Sequence, residues 1–390
     1  MGKHLRIPLL GLLLIFFLTS EALPIPAFAR KYSLSCKVCH TPFPKLKPYG
    51  DDFAGNGFVI EDKEAPRYYQ DTGDNWLSLL RELPIAIRFD GFLSFNNAGN
   101  ERLDFSTPFV IKLLSGGEIT KNISYYLYFF FSEQGEVAGL EDAFIILNNV
   151  FNTDLDVYLG QFQVSDPLFK RELRLTYEDY RIYKVKVGQA RANLAYDRGL
   201  MLTYGLPTNT DFTFELVNGL GLEPADNLGT FDTDKYKNVL FRVSQDVTET
   251  IRAGAFGYLG KERQENINNS LWMLGADFTW SLPKLELNVQ YVERQDKNPY
   301  FILENPQKIE TRGGFAELLY FPKGDDSRWY LAGLFNWIDS DQEDLKYSSA
   351  GIHYGYLLRR NVRATIEGTY VFRSDLPDHF RIGLGLITAF

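Results

Sequence analysis

The sequence predicts an all-β fold, an antiparallel barrel of about 16 strands of the membrane-spanning kind, behind a small N-terminal module. Three observations predict it. From about Leu83 onward apolar and polar residues alternate in short segments that end in turn residues. The chain is 45% hydrophobic and 15% aromatic, yet its mean hydropathy is −0.21, the combination that fine alternation produces. The links between segments alternate long and short, as outer loops and inner turns do in such barrels.

The last segments show the period most clearly. Phe380, Ile382, Leu384, Leu386 and Phe390 share one parity, with Arg381, Gly383 and Gly385 on the other. Before them, Val362, Ala364, Ile366, Tyr370 and Phe372 oppose Arg363, Thr365, Glu367 and Thr369. Segments of this kind start near residues 83, 104, 121, 139, 154, 198, 211, 238, 251, 270, 285, 311, 328, 345, 362 and 379. With the first strand running outward, the long links 164 to 197, 220 to 237 and 297 to 310 fall outside. Pro207-Thr208-Asn209-Thr210, Leu282-Pro283-Lys284 and Arg359-Arg360-Asn361 make short inner turns. Trp272 and Trp280 bracket Leu274, Ala276 and Phe278, and Trp329 and Trp337 bracket Leu331 and Phe335, as residues at two bilayer interfaces would. A β-propeller would instead repeat a blade about every forty to fifty residues, and the sequence carries no such repeat.

The first residues predict export. Lys3 and Arg6 precede an apolar run from Ile7 to Leu18, and Ala27-Phe28-Ala29 supplies small residues at the last and third-last positions, so cleavage is expected after Ala29. About twelve apolar residues are too few to cross a bilayer, where roughly twenty are needed. The expected organisation is a signal peptide at 1–29, a small module at 30–66, a linker at 67–82 and the barrel at 83–390.

The two cysteines, Cys36 and Cys39, stand in Cys36-Lys37-Val38-Cys39-His40, the C-x-x-C-H attachment motif of a c-type haem. The spacing lets two thiols reach the two vinyl groups of one porphyrin while the adjacent imidazole ligates the iron from one face. A redox disulfide would want a βαβ scaffold, whereas this motif runs into Thr41-Pro42-Phe43-Pro44. A structural zinc site would want four nearby ligands, and no further Cys exists and no His occurs between 41 and 352. One covalent haem c is therefore expected, held by Cys36 and Cys39, with His40 as axial ligand.

The second axial ligand is missing from the module, which has no Met or further His. Candidates are Met201, Met273, His353 and His379 of the barrel, Lys45 or Lys47 nearby, a new amino terminus at Arg30, or no ligand. Parity turns Met201, Met273 and His353 toward the lumen. His353 lies between Gly351 and Gly355, which leave space for a bulky group, so His353 or Met201 is a candidate distal ligand, against the plainer reading of a histidine that only lines a wet pore.

The stretch from Phe28-Ala29-Arg30 through the haem motif, Phe43-Pro44-Lys45-Leu46, Tyr49-Gly50 and Gly57-Phe58 resembles the fused monohaem cytochrome–porin family of the outer membrane, which includes the iron(II)-oxidising outer-membrane cytochromes. The likeness covers about thirty residues. It implies a haem plug at the periplasmic end of the barrel or within its lumen, and electron transfer across the outer membrane. From Arg171-Glu172-Leu173 to Asp197-Arg198-Gly199-Leu200-Met201 the chain also faintly resembles phosphate-selective porins.

The leading expectation is an electron-transfer protein rather than an enzyme, with outer-membrane lipid, an extracellular donor or acceptor such as Fe(II), and a periplasmic cytochrome as partners. A formal net charge of −9 points to no nucleic acid. Asp339, Asp341, Glu343 and Asp344 in one outer loop, and Asp226, Asp232 and Asp234 in another, are candidates for attracting a metal cation. The alternative is a diffusion porin whose haem module is a plug or redox gate, with Arg181, Lys184, Lys186 and Arg191 forming an anion constriction.

Overall fold

In the computed structural model, residues 27–60, 73–74, 76–77, 84–99 and 101–390 are described. Most of the expected signal peptide and most of the 67–82 linker lie outside them. Among the described residues three short helices, α1 (Ala27–Tyr32), α2 (Cys36–Cys39) and α3 (Pro48–Gly55), precede sixteen strands running from β1 (Ile85–Asn96) to β16 (His379–Ala389). All sixteen pair antiparallel with their sequence neighbours, and β1 pairs with β16 to close the barrel. Ile87 and Phe390 exchange both backbone hydrogen bonds at the seam, at 2.7 and 2.9 Å. Closure leaves no unpaired edge, the condition for a sheet that lies in lipid.

Every predicted strand start falls within three residues of an observed one. The outward parity is apolar yet exposed: Leu274, Phe335, Ile352, Ile366, Tyr370 and Leu384 are among the exposed hydrophobics. That is the belt a bilayer covers.

Among the described residues, two pieces of chain fill the inward face. The first is the segment 163–196 between β5 (Leu155–Phe162) and β6 (Asp197–Leu206), which folds into the lumen instead of standing outside. Its Val164, Tyr183, Val187, Ala192 and Leu194 are buried against wall residues including Met201, Leu240, Met273 and Phe315. Polar anchors fix it to several strands. Tyr180 donates to Glu317 at 2.9 Å, Tyr183 to Gln290 at 3.0 Å, and the Tyr177 and Glu178 amides to Glu367 at 2.6 and 2.8 Å.

The second piece is the helical segment 27–60. Phe28, Tyr32, Phe53 and Phe58 form its aromatic centre, with Phe28 stacked on Phe58 at 4.2 Å. Two glycines permit its close contacts. A Cβ on Gly50 would stand 2.4 Å from the Cys39 carbonyl oxygen. Gly57 has φ +66°, and a Cβ there would fall 1.7 Å from the Ser124 hydroxyl on the barrel wall.

This segment meets the barrel at the end that carries the short turns. Tyr158 donates to the Gly55 carbonyl at 3.1 Å, Asn148 to Asn56 at 3.1 Å, and Phe58 stacks on Tyr126 at 5.2 Å. Lys45 pairs with Glu286 at 2.6 Å at the foot of β11 (Leu285–Asp296). Lys47 pairs with Asp325, and Thr41 donates to the same carboxylate at 3.0 Å, in the turn before β13 (Trp329–Ser340).

Candidate functional site

Cys36 and Cys39 sit one helical turn apart in α2, so their thiols share a face. They are not joined to each other. Burial raises both thiols above the ordinary value. A redox dithiol works through a thiolate with a lowered pKa, so these thiols lack that activation.

His40 leaves the helix in an extended conformation, φ −122° and ψ 146°. Its Nδ1–H donates to the Pro44 carbonyl at 3.1 Å, which selects the tautomer with the lone pair on Nε2. Burial lowers its pKa despite the nearby carbonyls of Pro44 and Lys45, so the ring is neutral at pH 7. A neutral imidazole held through Nδ1 by a carbonyl is the arrangement of a metal-ligating histidine.

A small hollow open to solvent lies beside these residues. Cys36, Lys37, His40, Thr41, Pro42 and Phe43 form one wall, and Phe321, Tyr330, Leu357 and Arg360 of the barrel line the other. Cys36 and His40 line this hollow together with Lys37 and Arg360, and Cys39 lies one turn along α2 outside its lining; the two thiols and the imidazole are the residues that could hold a covalently attached, doubly carboxylated porphyrin. The barrel contributors come from β13, the turn before it, β14 (Tyr347–Arg359) and the turn after it.

The other predicted ligands are placed elsewhere. His353 is buried in the lumen, as parity predicts, with both ring nitrogens engaged: Nδ1 with Glu367 at 2.9 Å and Nε2 with Tyr330 at 3.1 Å. The space that Gly355 provides is filled by the Tyr330 ring, and a Cβ at Gly355 would lie 2.2 Å from it. Met201 and Met273 belong to the cluster around the 163–196 segment. His379, at the start of β16, is at the opposite end of the barrel. Against the effect of burial, Glu286 keeps the Lys45 ammonium above its usual pKa. Lys47 is tied to Asp325, and the Arg30 guanidinium donates to Ile85 at 2.8 Å.

The acidic outer loops use their carboxylates internally. Asp339 pairs with Arg312 and Arg373 at 3.3 and 3.0 Å, Glu343 pairs with Lys346, and Asp226 accepts from the Leu228 and Thr230 amides at 2.9 Å. Asp232 pairs with Lys237, and Asp234 accepts from the Arg263 amide at 2.8 Å. Among the described residues no group of three metal-ligating side chains converges. Of the cations expected at a constriction, Arg181 pairs with Glu178, Lys184 with Asp179 and Arg191 with Glu262, each at 2.9 Å, while Lys186 is exposed.

Sequence reasoning missed Tyr330, Phe321, Leu357 and Arg360. Tyr330 did carry a signal, since it shares the inward parity of Ala332 and Leu334 opposite Leu331 and Phe335.

A closed 16-stranded barrel with one long segment folded into its lumen defines a porin-like fold. The chain is similar in structure to an anion-selective porin from Comamonas acidovorans, with TM-score 0.59, 10% identity, and 79% of this chain and 99% of that one covered. It is also similar to the outer membrane channel DcaP of Acinetobacter baumannii, with TM-score 0.57, 12% identity, and coverage of 79% and 97%. Salmonella typhi OmpF in complex with daunomycin matches with TM-score 0.57, 11% identity, and coverage of 79% and 97%. No family model and no curated protein matches the chain. These likenesses establish the barrel fold and bear on neither the haem nor iron oxidation.

Proposed function

We propose that the chain is an electron-transfer protein of the bacterial outer membrane, carrying one covalent haem c at the short-turn, periplasmic end of a porin-like barrel. The observation that carries this reading is the conjunction of two unpaired thiols on one helical turn with a tautomer-fixed imidazole beside them, at a hollow where Cys36 and His40 face Phe321, Tyr330 and Leu357 of the barrel. Cys36 and Cys39 would hold the haem by adding S–H across its two vinyl groups, forming two C–S bonds with no external oxidant. His40 would ligate the iron, and Lys37 and Arg360 would face the propionates. The bound group supplies one-electron chemistry. The chain's residues set its orientation and exposure and keep bulk water from one face.

The 163–196 segment and the helical module together fill much of the lumen, which favours passage of electrons over passage of large solutes. The external donor or acceptor, Fe(II) among the candidates, would act from the outer side, and a periplasmic redox protein would meet the short-turn end.

A second reading, a diffusion porin with the module as plug or redox gate, is favoured by the structural neighbours, two of which are called a porin and a channel. The two readings part in one experiment on cells and on proteoliposomes. Prompt change of the haem spectrum on adding a membrane-impermeant external donor, with no liposome swelling in small solutes, supports electron transfer. Swelling with a haem that ignores external donors establishes the porin reading.

A further inference from the structure

In β9 (Ile251–Gln264) the buried Tyr258 and Glu262 face the lumen, so Leu259, Lys261 and Arg263 face outward. Leu259 is 68% exposed and belongs to the lipid belt, with Phe241 of β8 (Asn238–Thr248) and Leu274 of β10 (Ile267–Ser281). Across the β9–β10 register Leu259 meets Trp272, the aromatic at the outer interface. Lys261, the next outward position, therefore stands at the level of the outer leaflet's headgroups.

Other cations gather at that level. The Lys261 amide donates to the Asn238 side chain at 2.9 Å, next to Lys237 in sequence. The Lys297 amide donates to the carbonyl of Ser270, the register partner of Lys261, at 3.0 Å. The Lys261 and Lys235 ammonium groups lie 4.3 and 5.5 Å from the centre of the Tyr236 ring. Hydrogen bonding with Lys261, and the charges of Lys261, Lys235 and Arg263, hold the Tyr236 phenol below its usual pKa. The neighbouring carboxylates are spent elsewhere. Asp232 pairs with Lys237, Glu310 with Lys308 at 2.5 Å, and Glu262 with Arg191 inside the barrel. Asp234 accepts from the Tyr236 and Arg263 amides at 2.6 and 2.8 Å. Among the described residues, Lys235, Lys261, Arg263 and Lys297 stand in no ion pair.

Unneutralised cations directly above an exposed apolar wall match an amphiphile that carries phosphate on its headgroup. We propose that the outer ends of β8 to β11 bind the phosphorylated headgroup of an outer-leaflet lipid. Lys235, Lys261, Arg263 and Lys297 meet the phosphates, and Leu259 and Leu274 lie against the acyl chains. The site belongs to the barrel and is independent of the haem.

The test uses the full-length protein, delipidated in detergent and titrated with diphosphoryl lipid A, with the complexes counted by native mass spectrometry. The unaltered protein should bind this lipid at least about tenfold more tightly than the same lipid stripped of its phosphates. That comparison does not depend on the folding of any variant. Joint replacement by Lys235→Gln, Lys261→Gln, Arg263→Gln and Lys297→Gln should abolish the preference. Four changes among exposed cations at the short-turn end, Lys284→Gln, Lys323→Gln, Arg328→Gln and Arg359→Gln, should leave it intact. Inorganic phosphate alone should not displace the lipid. Equal affinity for the two lipids, an equal effect of the two sets of changes, or displacement by inorganic phosphate overturns the proposal.

Discussion

The Lys45 ammonium meets the Glu286 carboxylate at 2.6 Å, joining the loop that follows the Cys-x-x-Cys-His motif to the foot of β11. Both side chains are about one-fifth exposed, at 21% and 17%, so the pair lies between a solvated ion pair and a buried one. Its neutral partners Asn288 and Ser281 complete the coordination of Glu286.

Loss of this pair should loosen the module. Glu286→Gln is expected to cost about 1–2 kcal/mol of docking, between the values for exposed and buried pairs. Hydrogen exchange across residues 27–60 should rise while the strands stay protected, and the swap Lys45→Glu with Glu286→Lys should recover part of the loss. Unchanged exchange in Glu286→Gln would show that the pair does not hold the module.

Gly355 has no room for a side chain beneath Tyr330. Gly355→Ala should destabilise the barrel by about 1–3 kcal/mol through overpacking, read as a lower temperature for loss of the heat-modifiable band on a gel. A variant as heat-resistant as the parent would mean that Tyr330 can move aside freely.

Cleavage after Ala29 would remove Phe28, which stacks on Phe58 at 4.2 Å and meets Phe53 edge-on. The aromatic centre of the module uses that ring, so the mature protein is predicted to begin upstream of it. Ser20-Glu21-Ala22 supplies the small residues that a signal peptidase reads. The N-terminal peptide mass of protein recovered from membranes decides this: a peptide beginning at Arg30 contradicts it.

Asp179 anchors the lumen segment. Against burial, Arg174, Arg171 and Lys184 hold its carboxyl well below the usual range. A depressed folded pKa stabilises above the unfolded value of about 3.9 and that contribution is lost as pH falls through the folded one. Protection of residues 163–196 from proteolysis should therefore persist from neutral pH down to about 4 and fall below it. Asp166, raised by burial, acts in the opposite sense, so the comparison is made against Asp179→Asn, which should lose about 2–4 kcal/mol of local stability at pH 7. Equal protection in parent and variant at pH 7 would remove Asp179 from this role.

The barrel was legible because alternation has a period of two and each outward residue, from Leu274 to Leu384, reports its face without knowledge of its neighbours. The grouping of Cys36, Cys39 and His40 was legible because they lie within five residues of sequence, and the structure keeps them on one short helix and the residue after it. The opposite wall was not. His353 was placed correctly in the lumen, but the group filling the space at Gly355 comes from another strand, and only the register between Tyr330 and Gly355 reveals it. The inward path of residues 163–196 was hidden for a related reason. Its buried residues, among them Leu175, Tyr183 and Val187, follow no helical or strand period, because they are fixed by anchors such as Glu317, Gln290 and Glu367 that lie more than a hundred residues away.

The central claim is that Cys36 and Cys39 carry a haem where the module meets the barrel. The most direct measurement is the intact mass of the folded, heat-modifiable protein, made in cells able to attach haem c, alongside Cys36→Ser and Cys39→Ser variants. The account predicts an added mass of one haem that survives denaturation and is lost when both thiols are replaced. A folded barrel of unmodified mass, or one in which Cys36 and Cys39 are joined as a disulfide, would contradict it.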